Sequence, residues 1–94
     1  MKLNFEWDEE KAKTNLKKHR ISFEEAITVF LDPLSMTMPD PDHSEDEERY
    51  IDLGISDKGR VLAVIYTERS SNIRIISCRK AAFSERKFYE KGGD

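Results

Sequence analysis

Residues 61–79 read VLAVIYTERSSNIRIISCR. The first seven are apolar on both faces of an extended chain, the signature of a central strand covered on both sides. ERSSN at 68–72 is a turn, and IRIISCR is a second strand. Under strict alternation Arg74, Ile76 and Cys78 share one face of that strand, while Ile73, Ile75, Ser77 and Arg79 share the other. Isoleucine on both faces implies burial on both sides, so the two arginines need a separate reason. Arg79, at the strand's end, can reach past the sheet into a cleft. Against that, an arginine stem often covers apolar surface while its head stays in water.

Upstream, Ile51, Leu53 and Ile55 alternate with Tyr50, Asp52 and Gly54, and Leu34, Met36 and Met38 alternate with Ser35 and Thr37. Both runs read as strands. DKG at 57–59 supplies a turn with a glycine available for positive φ. Short connections between successive strands favour an antiparallel meander. Further upstream the period changes. Asp8 is an N-cap, Glu9 and Glu10 place negative charge in a first helical turn, and Lys17, Lys18, His19 and Arg20 gather at the helix end, where cations suit the dipole. Ala12, Leu16 and His19 fall on one face of this helix, which spans about 8–19. Ser22 and Glu25 form a capping box flanked by Ile21 and Ala26, and Phe23, Ala26, Ile27 and Phe30 make the stripe of a second helix that Asp32-Pro33 ends. Residues 2–6 make a short strand, and Trp7 and Phe5 close the core. Downstream, KAAFSERKFYEKGG reads as a helix with Phe83 and Tyr89 on related faces and Gly92 at its C-cap. The element order is β-α-α-β-β-β-β-α, an α+β fold.

The 94 residues predict one domain. No stretch approaches the roughly 20 apolar residues of a membrane span, and MKLNFEWDEEKAK lacks the apolar region of a signal peptide. The single cysteine fits a reducing cytoplasm. The net charge of −3 hides an asymmetry. Residues 40–48, DPDHSEDEE, hold six acidic residues and no Lys or Arg, whereas Lys58–Lys91 holds nine basic residues against three acidic ones. A basic C-terminal third points to a polyanionic partner, and a solvated, salt-bridged surface is the bland alternative.

His19 and His43 are isolated and Cys78 has no CxxC partner, so a zinc site is not expected. No P-loop, GxGxxG or GxSxG occurs. If RNA is the partner, Arg, Lys, His, Glu and Tyr suffice for cleavage without a metal. A base takes the ribose 2′-OH proton, cations stabilise the phosphorane, and an acid protonates the 5′-oxygen. Spacing alone does not say that these residues converge.

FEWDEEKAKTNLKKHRISFEEAITVFLDP resembles the opening of the BrnT family, the toxins of BrnT–BrnA type II toxin–antitoxin systems. The family pattern is aromatic-x-Trp-Asp, a Lys and then an Asn in the first helix, a Lys-His pair, and Phe-Glu-Glu-Ala leading to Asp-Pro. EERYIDLGISDKGRVLAVIYTER and IRIISCRKAAFSERKFYE resemble its remaining blocks, so the likeness covers about residues 5–90. It implies a RelE/ParE-like antiparallel sheet packed against two N-terminal helices and a C-terminal one. It also implies a cytoplasmic, metal-independent, cofactor-free ribonuclease that arrests growth by cutting RNA and inhibiting translation. The implied partner is a BrnA-type ribbon–helix–helix antitoxin, through which alone the complex would touch DNA; no membrane partner is implied. A weakly catalytic toxin-fold protein, acting mainly as the partner in that repressor complex, is the alternative. Carried over position by position, the catalytic set is Arg79, Arg69, His19, Lys18 and Glu48, with Arg49, Arg86, Lys80 and Lys17 binding RNA. Two positions depart from the pattern. Arg20 stands where the family usually has Gly, and Cys78 where a small residue is usual; Cys78 reads as packing, not as a nucleophile.

Overall fold

The computed structural model describes residues 3–40 and 47–93. The acidic run at 41–46, with His43 and Ser44, lies outside them. The elements are β1 (Asn4–Trp7), α1 (Glu9–His19), α2 (Phe23–Thr28) with a 3-10 turn at Val29–Leu31, β2 (Met36–Pro39), β3 (Arg49–Ile55), β4 (Val61–Arg69), β5 (Asn72–Lys80) and α3 (Phe83–Glu90). This is the order read from the sequence.

The five strands form one sheet in the order β1-β5-β4-β3-β2, with β4 at its centre. β2 to β5 are the expected antiparallel meander, but β1 pairs with β5 in parallel, Asn4 opposite Asn72 and Trp7 opposite Ile75. The sheet is therefore mixed, not antiparallel throughout. The chain reaches this arrangement because α1 and α2 separate β1 from the meander, the long connection that parallel neighbours need.

Local chemistry explains the two N-terminal helices. The Asp8 carboxylate accepts from the amides of Glu10 (2.8 Å) and Lys11 (3.4 Å) at the head of α1. At its end Arg20 takes the left-handed conformation, φ 62° and ψ 32°, a geometry that costs a residue with a Cβ about 1 kcal/mol. Ser22 Oγ accepts from the Glu25 amide at 3.0 Å. The reciprocal half of the expected capping box is absent, because the Glu25 carboxylate turns instead to Arg60 (2.6 and 2.8 Å) and Ser56 (2.7 Å). Glu25 thereby ties α2 to the β3–β4 turn.

The expected apolar stripe of α1 is also corrected. Leu16 is half exposed, and the buried residue of the helix is Asn15. α1 crosses the rim of β5, whose main-chain groups past β1 need polar partners, and an amide meets that demand where a leucine cannot.

Ile21, Phe23, Ala26 and Val29 pack on one face of the sheet against Leu62, Val64, Tyr66, Ile73, Ile75 and Cys78. Phe5 and Trp7 are half-buried against this core, Trp7 edge-on to Phe23 at 5.8 Å. The β5 members of this core are 73, 75 and 78, so the alternation breaks between Ile75 and Cys78. Tyr66 lies opposite Ile75 and Ile65 opposite Ser77, leaving Ile76 as the extra residue of a β-bulge. Strict alternation placed Arg74 and Arg79 on opposite faces. The bulge puts both on the face away from α1 and α2, where they pair with Thr67 and Ala63.

α3 covers one end of that second face, where Leu53 and Ala63 are fully buried. It contributes no buried residue. Two polar contacts fasten it: Glu85 to Arg79, and the Tyr89 hydroxyl donating to Asp32. Gly92, at φ 72°, closes its C-terminus with its amide on the Tyr89 carbonyl.

Candidate functional site

Beyond the end covered by α3, the second face of the sheet opens into a groove of about 300 Å³. Its floor is Ile51, Ile65, Ile76 and Ser77, and its walls carry Asp40, Arg49 and Arg79. Each strand delivers its residues by register. Arg49 lies opposite Thr67 and Ile51 opposite Ile65, while the bulge brings Ser77 and Arg79 onto the same side.

Among the described residues the buried Arg49 Nε has no hydrogen-bond partner, and the Glu47 carboxylate lies 3.8 Å from it. An unmet buried donor in a groove wall suits an anionic ligand. Arg79 is differently placed. Its two terminal nitrogens grip the Glu85 carboxylate at 2.6 and 3.0 Å, and one also reaches the Lys80 carbonyl at 3.4 Å. That fork holds the Glu85 carboxyl below the usual carboxylate range, and Glu85 also accepts from the Ala82 amide at 2.7 Å. Asp40, buried at the groove, adds negative charge beside Arg79.

A second hollow, about 290 Å³, lies between α1 and the rim of β5. Lys18 and His19 line it with Glu10, Lys11, Thr14 and Asn15, and its far wall is again Ile76 and Ser77. The two bulge residues are thus a ridge shared by both depressions, with a histidine and a lysine on one side and two arginines on the other.

The structure therefore brings Lys18, His19, Arg49 and Arg79 around one ridge and leaves the other sequence candidates off it. Arg69 ends β4 at the hairpin tip, exposed, on the same face as the groove but outside its lining. Glu48 accepts from the Tyr50 hydroxyl at 2.8 Å and lies outside both linings. Lys17 is exposed on α1, and Lys80 is exposed opposite Leu62. Arg86 is exposed on α3, 4.0 Å from Glu90. Arg74 is tied to Glu6 of β1 at 2.7 Å, a cross-strand ion pair with Asn72 on the same carboxylate. Cys78 is fully buried and burial pushes its thiol up to about 12, so it packs and does not react. Three residues at the site were not among the sequence candidates: Asp40, Glu85 and Asn15. Of these only Asn15 carried a signal, as the Asn that the family pattern places in the first helix.

Among the described residues no group of three His, Cys, Asp or Glu side chains could hold a metal ion, and no helix is long and apolar enough to cross a membrane.

The comparisons with known proteins converge. The model of the family "Ribonuclease toxin, BrnT, of type II toxin-antitoxin system" matches residues 7–85. Among solved structures, the crystal structure of the Brucella abortus ribonuclease toxin BrnT superposes with a TM-score of 0.69 at 28% identity, over 86% of this chain and 99% of that one. No curated protein matches the sequence. A family match over that span, joined to a solved relative of the same overall fold, places this chain in the BrnT family of ribonuclease toxins of type II toxin–antitoxin systems.

Proposed function

We propose that this toxin cleaves RNA without a metal ion, on the face of the sheet that α1 and α2 leave open. The observation that carries the reading is the groove in which Arg49 and Arg79 flank an apolar floor. A phosphodiester laid across that floor meets guanidinium groups, the planar donors suited to bidentate phosphate recognition. The ridge at Ile76 and Ser77 separates them from His19 and Lys18, the groups suited to moving protons.

In this reading a base, His19 or Lys18, takes the proton of the 2′-hydroxyl. The 2′-oxygen attacks phosphorus, Arg79 and Arg49 stabilise the phosphorane, and the 5′-oxygen leaves with a proton from the paired acid. The products are a 2′,3′-cyclic phosphate and a free 5′-hydroxyl. Arg69, Lys17, Lys80 and Arg86 contact the strand beyond the scissile bond, and Glu48 is the further candidate for proton transfer. A BrnA-type ribbon–helix–helix antitoxin neutralises the toxin and alone carries the complex to DNA. The RelE/ParE-like kinship that the sequence implied belongs to the same proposal.

The test is RNA cleavage by wild type and Arg79→Ala, each with and without a chelator. Wild type is expected to cleave equally in both conditions, and Arg79→Ala to lose about 100-fold in kcat, as when one preorganised transition-state donor is removed. Chelator-sensitive cleavage, or wild-type rates from Arg79→Ala, would overturn the reading. One observation favours the weakly catalytic alternative: Glu85 already occupies both terminal nitrogens of Arg79. Expression without antitoxin separates the two, since only the ribonuclease arrests growth with loss of RNA.

A further inference from the structure

β1 ends at Trp7, opposite Ile75, so from Ile76 onward β5 has no strand neighbour on that side. The bulge lies at this unprotected point. Two residues later the side chain of Asn15 takes the missing strand's place. Its Oδ1 accepts from the Cys78 amide at 3.0 Å, and its Nδ2 donates to the Cys78 carbonyl at 2.9 Å. The second Nδ2 proton goes to the Ile21 carbonyl at 3.0 Å, past the left-handed end of α1. All three contacts are buried, so the amide is fully satisfied where water has little access.

Cys78 separates the two residues that the bulge delivers to the groove, Ser77 and Arg79. Asn15 also precedes Lys18 and His19 by three and four residues, one turn along the same helix. It is the direct bond between the element that carries the proton-moving groups and the strand that carries the phosphate-binding one.

We propose that Asn15 is a positioning residue for RNA cleavage: by bonding both main-chain groups of Cys78 it holds the β5 bulge, and so fixes Arg79 on the groove face in register with His19 and Lys18. The inference rests on the reading of the groove as the cleavage site. Without the bulge, alternation along β5 would carry Arg79 to the other side of the sheet, because a slip of one residue reverses every side chain. A shift of about 1 Å in a catalytic group costs up to about 100-fold in rate, with less effect on binding.

Asn15→Asp and Asn15→Ser are the variants. The aspartate keeps the acceptor for the Cys78 amide but sets an oxygen against two carbonyls; the serine removes the reach. Each is expected to lower kcat by about 10- to 100-fold while KM for RNA changes by less than about threefold, and to speed hydrogen exchange at the Cys78 amide. Val29→Ala, a core truncation remote from both depressions, is the control for lost stability and is expected to keep its kcat where it is folded. Asn15 variants that match this control in kcat overturn the proposal. If neither variant folds, NMR of the wild type decides: slow exchange of both Asn15 side-chain amide protons supports it, and a freely exchanging amide overturns it. Wild type that cleaves no RNA would instead remove the underlying function, leaving the exchange prediction at Cys78 standing.

Discussion

Asp52 shows what a single residue can do to this fold. It is 2% exposed on the helix side of β3, and among the described residues one of its carboxyl oxygens has no hydrogen-bond partner. Burial raises its pKa to about 7, with Asp32 adding to the rise and the Ser35 and Thr37 hydroxyls offsetting part of it. The folded carboxyl thus holds its proton after the unfolded one has lost it. The protein keeps the full benefit of the neutral group below about pH 4, loses it progressively as pH rises, and has lost it above about 7. Asp52→Asn removes that loss. It is expected to raise the thermal midpoint at pH 8, by roughly 2–4 kcal/mol of stability at about 1.4 kcal/mol per pKa unit, and to change it little near pH 4. Thermal unfolding of both proteins across that range checks this, and an equal shift at both ends would show that Asp52 is not the titrating group. Alternation placed Asp52 between two apolar neighbours but said nothing of the depth of its burial. The left-handed Arg20 was likewise legible only as a departure from the family's glycine.

At the scale of elements, every helix and strand was legible, because period and capping chemistry are local. The groove was not, since it depends on one extra residue in β5. IRIISCR carries no glycine or proline to announce a bulge, and only pairing with β4 and the amide of Asn15 reveals it. Nor could the sequence join Arg79 to Glu85, because that contact depends on how α3 folds back onto the sheet. The pair now decides how α3 behaves. Glu85 occupies the Arg79 nitrogens that a phosphate needs, and α3 buries no residue of its own. Glu85→Gln keeps an acceptor for the Ala82 amide while removing the charge. Loss of a partly exposed ion pair costs stability about 1 kcal/mol or less. The KM for RNA is expected to fall about three- to tenfold, because the phosphate no longer competes with a carboxylate. If KM rises and kcat falls instead, Glu85 orients Arg79 and does not block it.

For the whole molecule, net charge misdescribes the open face of the sheet. The sum is −3, yet register brings Arg49, Arg69, Arg74 and Arg79 to one face of the sheet, and Arg74 is paired there with Glu6. Attraction for RNA should therefore be local and built from few contacts. Neutralising phosphates on a single strand releases counterions, and log affinity falls with log salt at about 0.7 per phosphate contacted. Among the described residues the Arg49 Nε has no hydrogen bond to give up, and its ion pair with Glu47 is long at 3.8 Å, so little is lost when the guanidinium turns to the strand. Arg49→Ala is accordingly expected to weaken RNA binding and to reduce the salt slope by about 0.7. Arg86→Ala, on the outer side of α3 beside Glu90, is expected to change the slope less. Binding isotherms over a salt series decide between these outcomes. A slope unchanged in Arg49→Ala places the RNA elsewhere, and a steep slope lost in Arg86→Ala moves the binding surface from the open sheet to α3.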